Sequence, residues 1–192
     1  MKAGLGFRIK SGWAAAVLLT GSTGSPKLYR SFAVDLCDPS QPATRQPYHA
    51  RMGQLETDPM KVQRRGQIVR RLTNQSITKI MAECRASQLK VQRAVLVVGS
   101  VIDPGLVANQ HIRAHAFEGQ LFRTAVERGL RRCRIGTFVV VEREAYEKAA
   151  SGLKKPVKQI KRTIELLGMD TKGPWRAEQK LAALGAWLAL AQ

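Results

Sequence analysis

Acidic residues are scarce in this chain. Fourteen Asp and Glu stand against 32 Lys and Arg in 192 residues, a formal charge of +18. A soluble domain of this size usually carries a net charge of magnitude roughly 2–8. Self-repulsion on this scale works against compactness, so a polyanionic partner is expected to neutralise it. Aromatic residues make up only 6% of the chain and few are interleaved with the basic runs. That disfavours single strands stacked base on ring and favours double-stranded or structured nucleic acid. Cysteine is rare too: Cys37, Cys84 and Cys133 are odd in number, far apart and without metal-ligand spacing. A disulfide scaffold is excluded, and the three read as small buried residues in a reducing compartment. No run approaches the ~20 apolar residues that span a bilayer, so no membrane partner is expected. Internal repeats are absent.

What is present is a globular pattern. Hydrophobic residues form 44% of the chain, enough for a real core, and the length suits one domain covering residues 1–192. The start of the chain imitates a secretory leader, with Lys2 and Lys10 before or within an apolar run that ends at Leu19. The same run reads as a buried strand, and a cytoplasmic protein is expected.

Alternation predicts a strand over Ala3–Leu19, interrupted near Lys10–Gly12. The turn cluster Gly21–Pro26 leads into a second hairpin strand, Lys27–Leu36. Three prolines mark residues 38–47 as a loop, and Tyr48–Leu55 is expected to add a short third strand. Asp58-Pro59 opens a helix over Met60–Ala86, with Arg64, Arg71, Lys79 and Arg85 opposite its apolar half. Val91–Val98 reads as a buried strand, Asn109–Arg132 as a helix, and Arg134–Val141 as another buried strand. Helices follow at Glu142–Ala150, Val157–Leu167 and Trp175–Leu190. The order predicts an α/β fold, a mixed sheet with helices on both faces.

Strand-strand-strand-helix-strand-helix-strand-helix resembles the ribonuclease H-like superfamily over most of the chain. The segment from Gly4 to Ala15, with Gly12-Trp13 near its end, is similar to the first strand of predicted ribonuclease H-fold nucleases. In those proteins a catalytic aspartate precedes the Gly-Trp. Further carboxylates near the fourth strand and on the final helix complete a site for two divalent metals. Here the first strand offers Arg8 and Lys10, with no acid before Asp35. Ser100 and Asp103 follow the fourth strand, and Glu178 stands at the helix position. The resemblance thus implies the fold, while cations at the metal position argue against two-metal cleavage.

The sharpest local pattern is His111, His115 and Glu118, spaced to share one side of a helix. Glu118 overlaps the apolar stripe and needs a partner there, for which Arg8, Lys10 or Arg176 are the expected suppliers. A metal site, an acid/base pair, a phosphate clamp using Arg113, and a structural network all remain open. His-x3-His is a zinc-ligand spacing, but no further ligand stands out and no metal is assigned; a divalent cation is not favoured as cofactor. His49 and Arg51 precede the first helix and read as solvated loop residues able to join a site at the sheet's edge. Expected catalytic candidates are His111, His115, Glu118 and Glu178. Expected nucleic-acid contacts are Arg8, Lys10, Arg51, Arg64, Arg71, Arg113, Arg176 and Lys180, with the Lys154–Arg162 run beside them.

The leading expectation is a nucleic-acid-binding protein without the standard two-metal site. A nuclease or phosphodiesterase with a non-standard His/Glu/Arg site is the first alternative. A structural component of a nucleoprotein assembly, with protein partners or as a homo-oligomer, is the second.

Overall fold

The β-rich run from Ala3 to Leu19 is interrupted at Lys10–Gly12, and there Gly12 bends it double. In the structure, a computed structural model describing residues 1–50 and 53–192 (of Asp170, the backbone only), Gly12 has φ +85°. Strand β1 (Lys2–Lys10) turns there through Ser11-Gly12 into β2 (Trp13–Gly21), pairing Lys10 with Trp13. The expected single strand is therefore a hairpin. Both arms are buried on both faces and rich in strand-forming residues, which is why the sequence pattern hid the fold-back. The third strand, β3 (Pro26–Asp35), is the one expected as second. Tyr48–Leu55 forms no strand among the described residues, only a single bridge between His49 and Leu55.

The remaining elements are α1 (Pro59–Ala86), β4 (Lys90–Val98), α2 (Gln110–Arg132), β5 (Gly136–Val141), α3 (Ala145–Leu153), α4 (Val157–Leu167) and α5 (Ala177–Leu190). Asp58 caps α1, accepting from the amides of Met60 and Lys61, and Asn109 caps α2 through the amide of Ile112. The five strands lie in the order β3-β2-β1-β4-β5. The β1–β2 and β2–β3 pairs are antiparallel, while β1–β4 and β4–β5 are parallel. The expected mixed sheet, covered on both faces, is what forms, and its layout is ribonuclease H-like.

One face packs Leu5, Phe7 and Ile9 with Val69, Ile77 and Met81 of α1 and Phe122, Val126 and Leu130 of α2. The other packs Ala15, Val17, Val95 and Val97 with α3, α4 and α5. Helix α5 is apolar on nearly every side, and each residue from Leu181 to Leu190 is buried. A helix hydrophobic all round belongs inside a protein. It lies so close to β1 that a Cβ on Gly6 would collide with the Ala182 carbonyl oxygen, and one on Gly4 with that of Ala186. No side chain fits between them.

Gly6→Ala therefore forces helix and strand apart. A destabilisation of about 3 kcal/mol or more is expected, at the upper end of overpacking effects. Gly119→Ala, where nothing lies within 4 Å of the added carbon, should stabilise by up to about 1 kcal/mol through helix propensity. Urea denaturation of both variants checks the contrast.

Candidate functional site

Strands β1, β4 and β5 run parallel, and β3, antiparallel to β2, shares their direction. Their carboxyl ends open on one edge of the sheet, where ligands of α/β sheets usually bind. Polar residues gather there in two groups, one on each face.

On the α1–α2 face the chain's three histidines meet. His111 and His115 stand one turn apart at the start of α2, as their spacing predicts. His49 arrives from the loop between β3 and α1, its ring centroid 5.2 Å from that of His111 and 4.5 Å from that of His115. Tyr48 stacks on Phe117, with centroids 4.8 Å apart, and seats the loop on α2. Arg65 of α1 braces it from the other side. Its guanidinium donates to the carbonyls of Pro47 (3.1 Å) and His49 (3.2 Å) and pairs with Glu56 at 3.2 Å.

Glu118 lies beneath the rings with 0% exposure. Its Oε1 takes the Nδ1 hydrogen of His49 at 2.7 Å, and Oε2 lies 3.6 Å from Nδ1 of His115. Burial raises the Glu118 carboxyl above its ordinary pKa, against the pull of the His49 hydrogen bond. Burial and the neighbouring His49 and His111 lower His115, favouring its neutral imidazole. Glu118 is buried as its position in the apolar stripe predicts, but its partner is corrected. His49 bonds its Oε1 while its Oε2 has no hydrogen-bond partner, and neither Arg8, Lys10 nor Arg176 is paired with it.

Arg8 is engaged on the opposite face. It continues the Gly4-Gly6 alternation toward α5, and its side chain is buried at the end of β1. One guanidinium nitrogen donates to the Ile9 carbonyl at 2.8 Å, and the other pairs with Glu142, just past β5. Glu178 stands in the first turn of α5, half-buried, one turn before Ala182, which faces Gly6. No ion pair reaches Glu178 among the described residues. Asp103 caps the short turn at Pro104–Leu106 through the Gly105 amide. The four catalytic candidates thus divide: His111, His115 and Glu118 share one face, and Glu178 belongs to the other.

The basic candidates divide as well. Arg64 and Arg71 are exposed and line an open groove on α1 with Gln41, Gln67 and Ile68. Lys10 and Arg176 are exposed. Arg8 is withdrawn from any surface role by its burial, which corrects its assignment as a phosphate contact. The Arg113 Nε donates to the Val107 carbonyl at 2.6 Å, and Lys180 pairs with Glu165 at 2.7 Å. Arg51 lies outside the described residues. His49, Arg65 and Glu142 are the participants that the sequence did not single out in these roles. The one signal available for His49 was that a chain so poor in histidine placed its third just before the first helix.

The fold has counterparts among solved structures. Thermus thermophilus RuvC in complex with Holliday junction substrate superposes with a TM-score of 0.55 at 10% identity, over 98% of this chain and 92% of that one. A second Thermus thermophilus RuvC structure gives 0.53 at 11% identity, over 97% and 91%. RuvC is a nuclease of the ribonuclease H-like superfamily. Identity this low carries the fold alone. No protein-family model and no curated protein matches the sequence.

The Arg8–Glu142 pair predicts a non-additive response. Glu142→Ala should cost about 1.5–3 kcal/mol by leaving a buried guanidinium short of its charged partner. Arg8→Met combined with Glu142→Ala should recover most of that stability, because no buried charge remains. A thermal-denaturation double-mutant cycle reads the coupling.

Proposed function

We propose that this chain binds double-stranded or structured nucleic acid through its basic faces and does not cleave it by the two-metal route. The observation that carries the second clause is Arg8, a buried guanidinium at the carboxyl end of the central strand, already paired with Glu142. A pair of divalent cations needs an anionic cradle. A fixed cation at that corner repels them and uses the nearby carboxylate for itself. The residues present do not fit two magnesium ions, and no step through them is derived.

Nucleic-acid binding is supported by the charge of +18 and by where it projects. Ser76 of α1 donates to the Asp35 carbonyl at the end of β3, at 2.8 Å. The earlier turns of α1 therefore lie toward the carboxyl edge of the sheet. They carry Lys61, Arg64, Arg70 and Arg71 exposed to solvent, with Asp58 at their head held by backbone amides. Lys10 and Arg176 lie toward the same edge on the other face. A row of flexible cations on a helix contacts phosphates without reading bases. RuvC, of like fold, is seen in complex with a Holliday junction substrate, and a branched duplex is accordingly the first ligand to try here.

A second reading, a phosphodiesterase using His111, His115 and Glu118, is favoured by one observation, the arrival of His49 beside them. It separates from the first by cleavage that survives without magnesium.

Arg64→Glu with Arg71→Glu should weaken binding to unrelated duplex and junction sequences alike. It should also flatten the dependence of log K on log salt, by about 0.9 for every phosphate that is no longer neutralised. Unchanged affinity would move the interface off this helix. Wild-type protein with magnesium should leave the same substrates intact. Magnesium-stimulated cleavage that disappears in Glu178→Gln would overturn the assignment of Arg8.

A further inference from the structure

We propose that His49, His111 and His115 bind one divalent transition-metal ion of the zinc class, with Glu118 as the buried carboxylate that orients the rings. The site is separate from the corner of Arg8 and Glu178 and does not depend on nucleic-acid binding.

The geometry is that of a ligand set. One ring nitrogen from each histidine lies within 4.8 Å of the other two. The Nδ1 of His49 is used outward on Glu118 at 2.7 Å, and that of His111 on the Gly53 carbonyl at 2.8 Å. Hydrogen on Nδ1 leaves the Nε2 lone pair of both rings free to point inward. Orientation of metal-bound histidine by a carboxylate or a backbone carbonyl takes this form. The third ring agrees: His115 presents Nδ1 to Glu118 and brings its Nε2 to 3.2 Å from Nε2 of His111. Zinc–nitrogen bonds of 2.0–2.1 Å set the edge of a tetrahedron at about 3.3–3.4 Å. One edge already stands near that length, and small ring rotations close the others.

A purely hydrogen-bonded network explains less. It satisfies His111 and His115 with one shared hydrogen but leaves Nε2 of His49 buried without a partner. A buried polar nitrogen in that state is unfavourable and uncommon. A cation at the centre satisfies all three nitrogens at once, and the Glu118 carboxylate offsets part of its charge. Gly53 fits the same design. It sits at φ +74°, and a Cβ there would come within 3.1 Å of Nδ1 of His111, crowding the ring its carbonyl fixes.

Nitrogen donors select the ion. Imidazole suits zinc, cobalt, nickel and copper, whereas magnesium and calcium take oxygen. Three protein ligands leave a fourth position open. His111 and His115 are exposed, so that position faces solvent and admits water or a phosphate oxygen, as open zinc sites do.

The test uses the full chain stripped with a chelator and titrated with Co²⁺ and Zn²⁺ in phosphate-free buffer. One ion per chain is expected, with the visible Co²⁺ absorption of four-coordinate geometry, lost when Zn²⁺ displaces it. Millimolar Mg²⁺ should not compete. Glu118→Gln should weaken Zn²⁺ binding by about 10–100-fold, as loss of an orienting carboxylate does. His111→Ala with His115→Ala, both at exposed positions and checked for folding by circular dichroism, should abolish the Co²⁺ spectrum. No saturable binding by wild type would overturn the proposal. So would equal binding by the double variant, which would place the ion away from the histidines.

Discussion

The rest of the structure hangs on the contact between α5 and β1. Two glycines on the central strand let the helix backbone rest on the strand backbone without an intervening side chain. That closeness explains why α5 from Leu181 on is alanine and leucine but for Gly185 and Trp187, and is buried on almost every side. It also fixes what lies at the end of the contact. The next residue on the Gly4-Gly6 side is Arg8, and it emerges where helix, sheet and the chain leaving β5 converge. A large cation in so confined a place must find an anion. Glu142 supplies it.

A second constraint works on the opposite face. Glu118 sits in the apolar stripe of α2, where burial disfavours its charge and water cannot reach it. The loop between β3 and α1 folds down to answer it, with Tyr48 stacked on Phe117 and His49 bonded to the carboxylate. Arg65 then ties that loop to α1. The histidine cluster is thus a consequence of one buried carboxylate and of the three elements that meet over it. Both groups lie at the carboxyl edge of one sheet, yet the sheet itself separates them. One sheet thus carries a buried ion pair on one face and an imidazole cluster on the other.

Element positions were legible because they follow local rules. The cap at Asp58-Pro59, the apolar runs of β4 and β5, and the stripe of α2 needed only their neighbours in sequence to be read. The β1–β2 fold-back was the exception. A buried run is blind to reversal, because a hairpin and a long strand covered on both faces need the same apolar residues. Only Gly12, with its positive φ, distinguishes them. Misreading it displaced the third strand onto Tyr48–Leu55.

The sequence by itself determined the charge, the strand-and-helix order and hence the fold class, the burial of Glu118, and the absence of an acid on the first strand. Each is a property of composition or of short-range periodicity. Tertiary structure alone decided the partners: His49 with Glu118 across 69 residues, and Arg8 with Glu142 across 134. Nothing local marks such pairs. Which buried ion meets which counter-ion depends on the path of the backbone between them, and that path is set by the packing of the sheet against both helical layers.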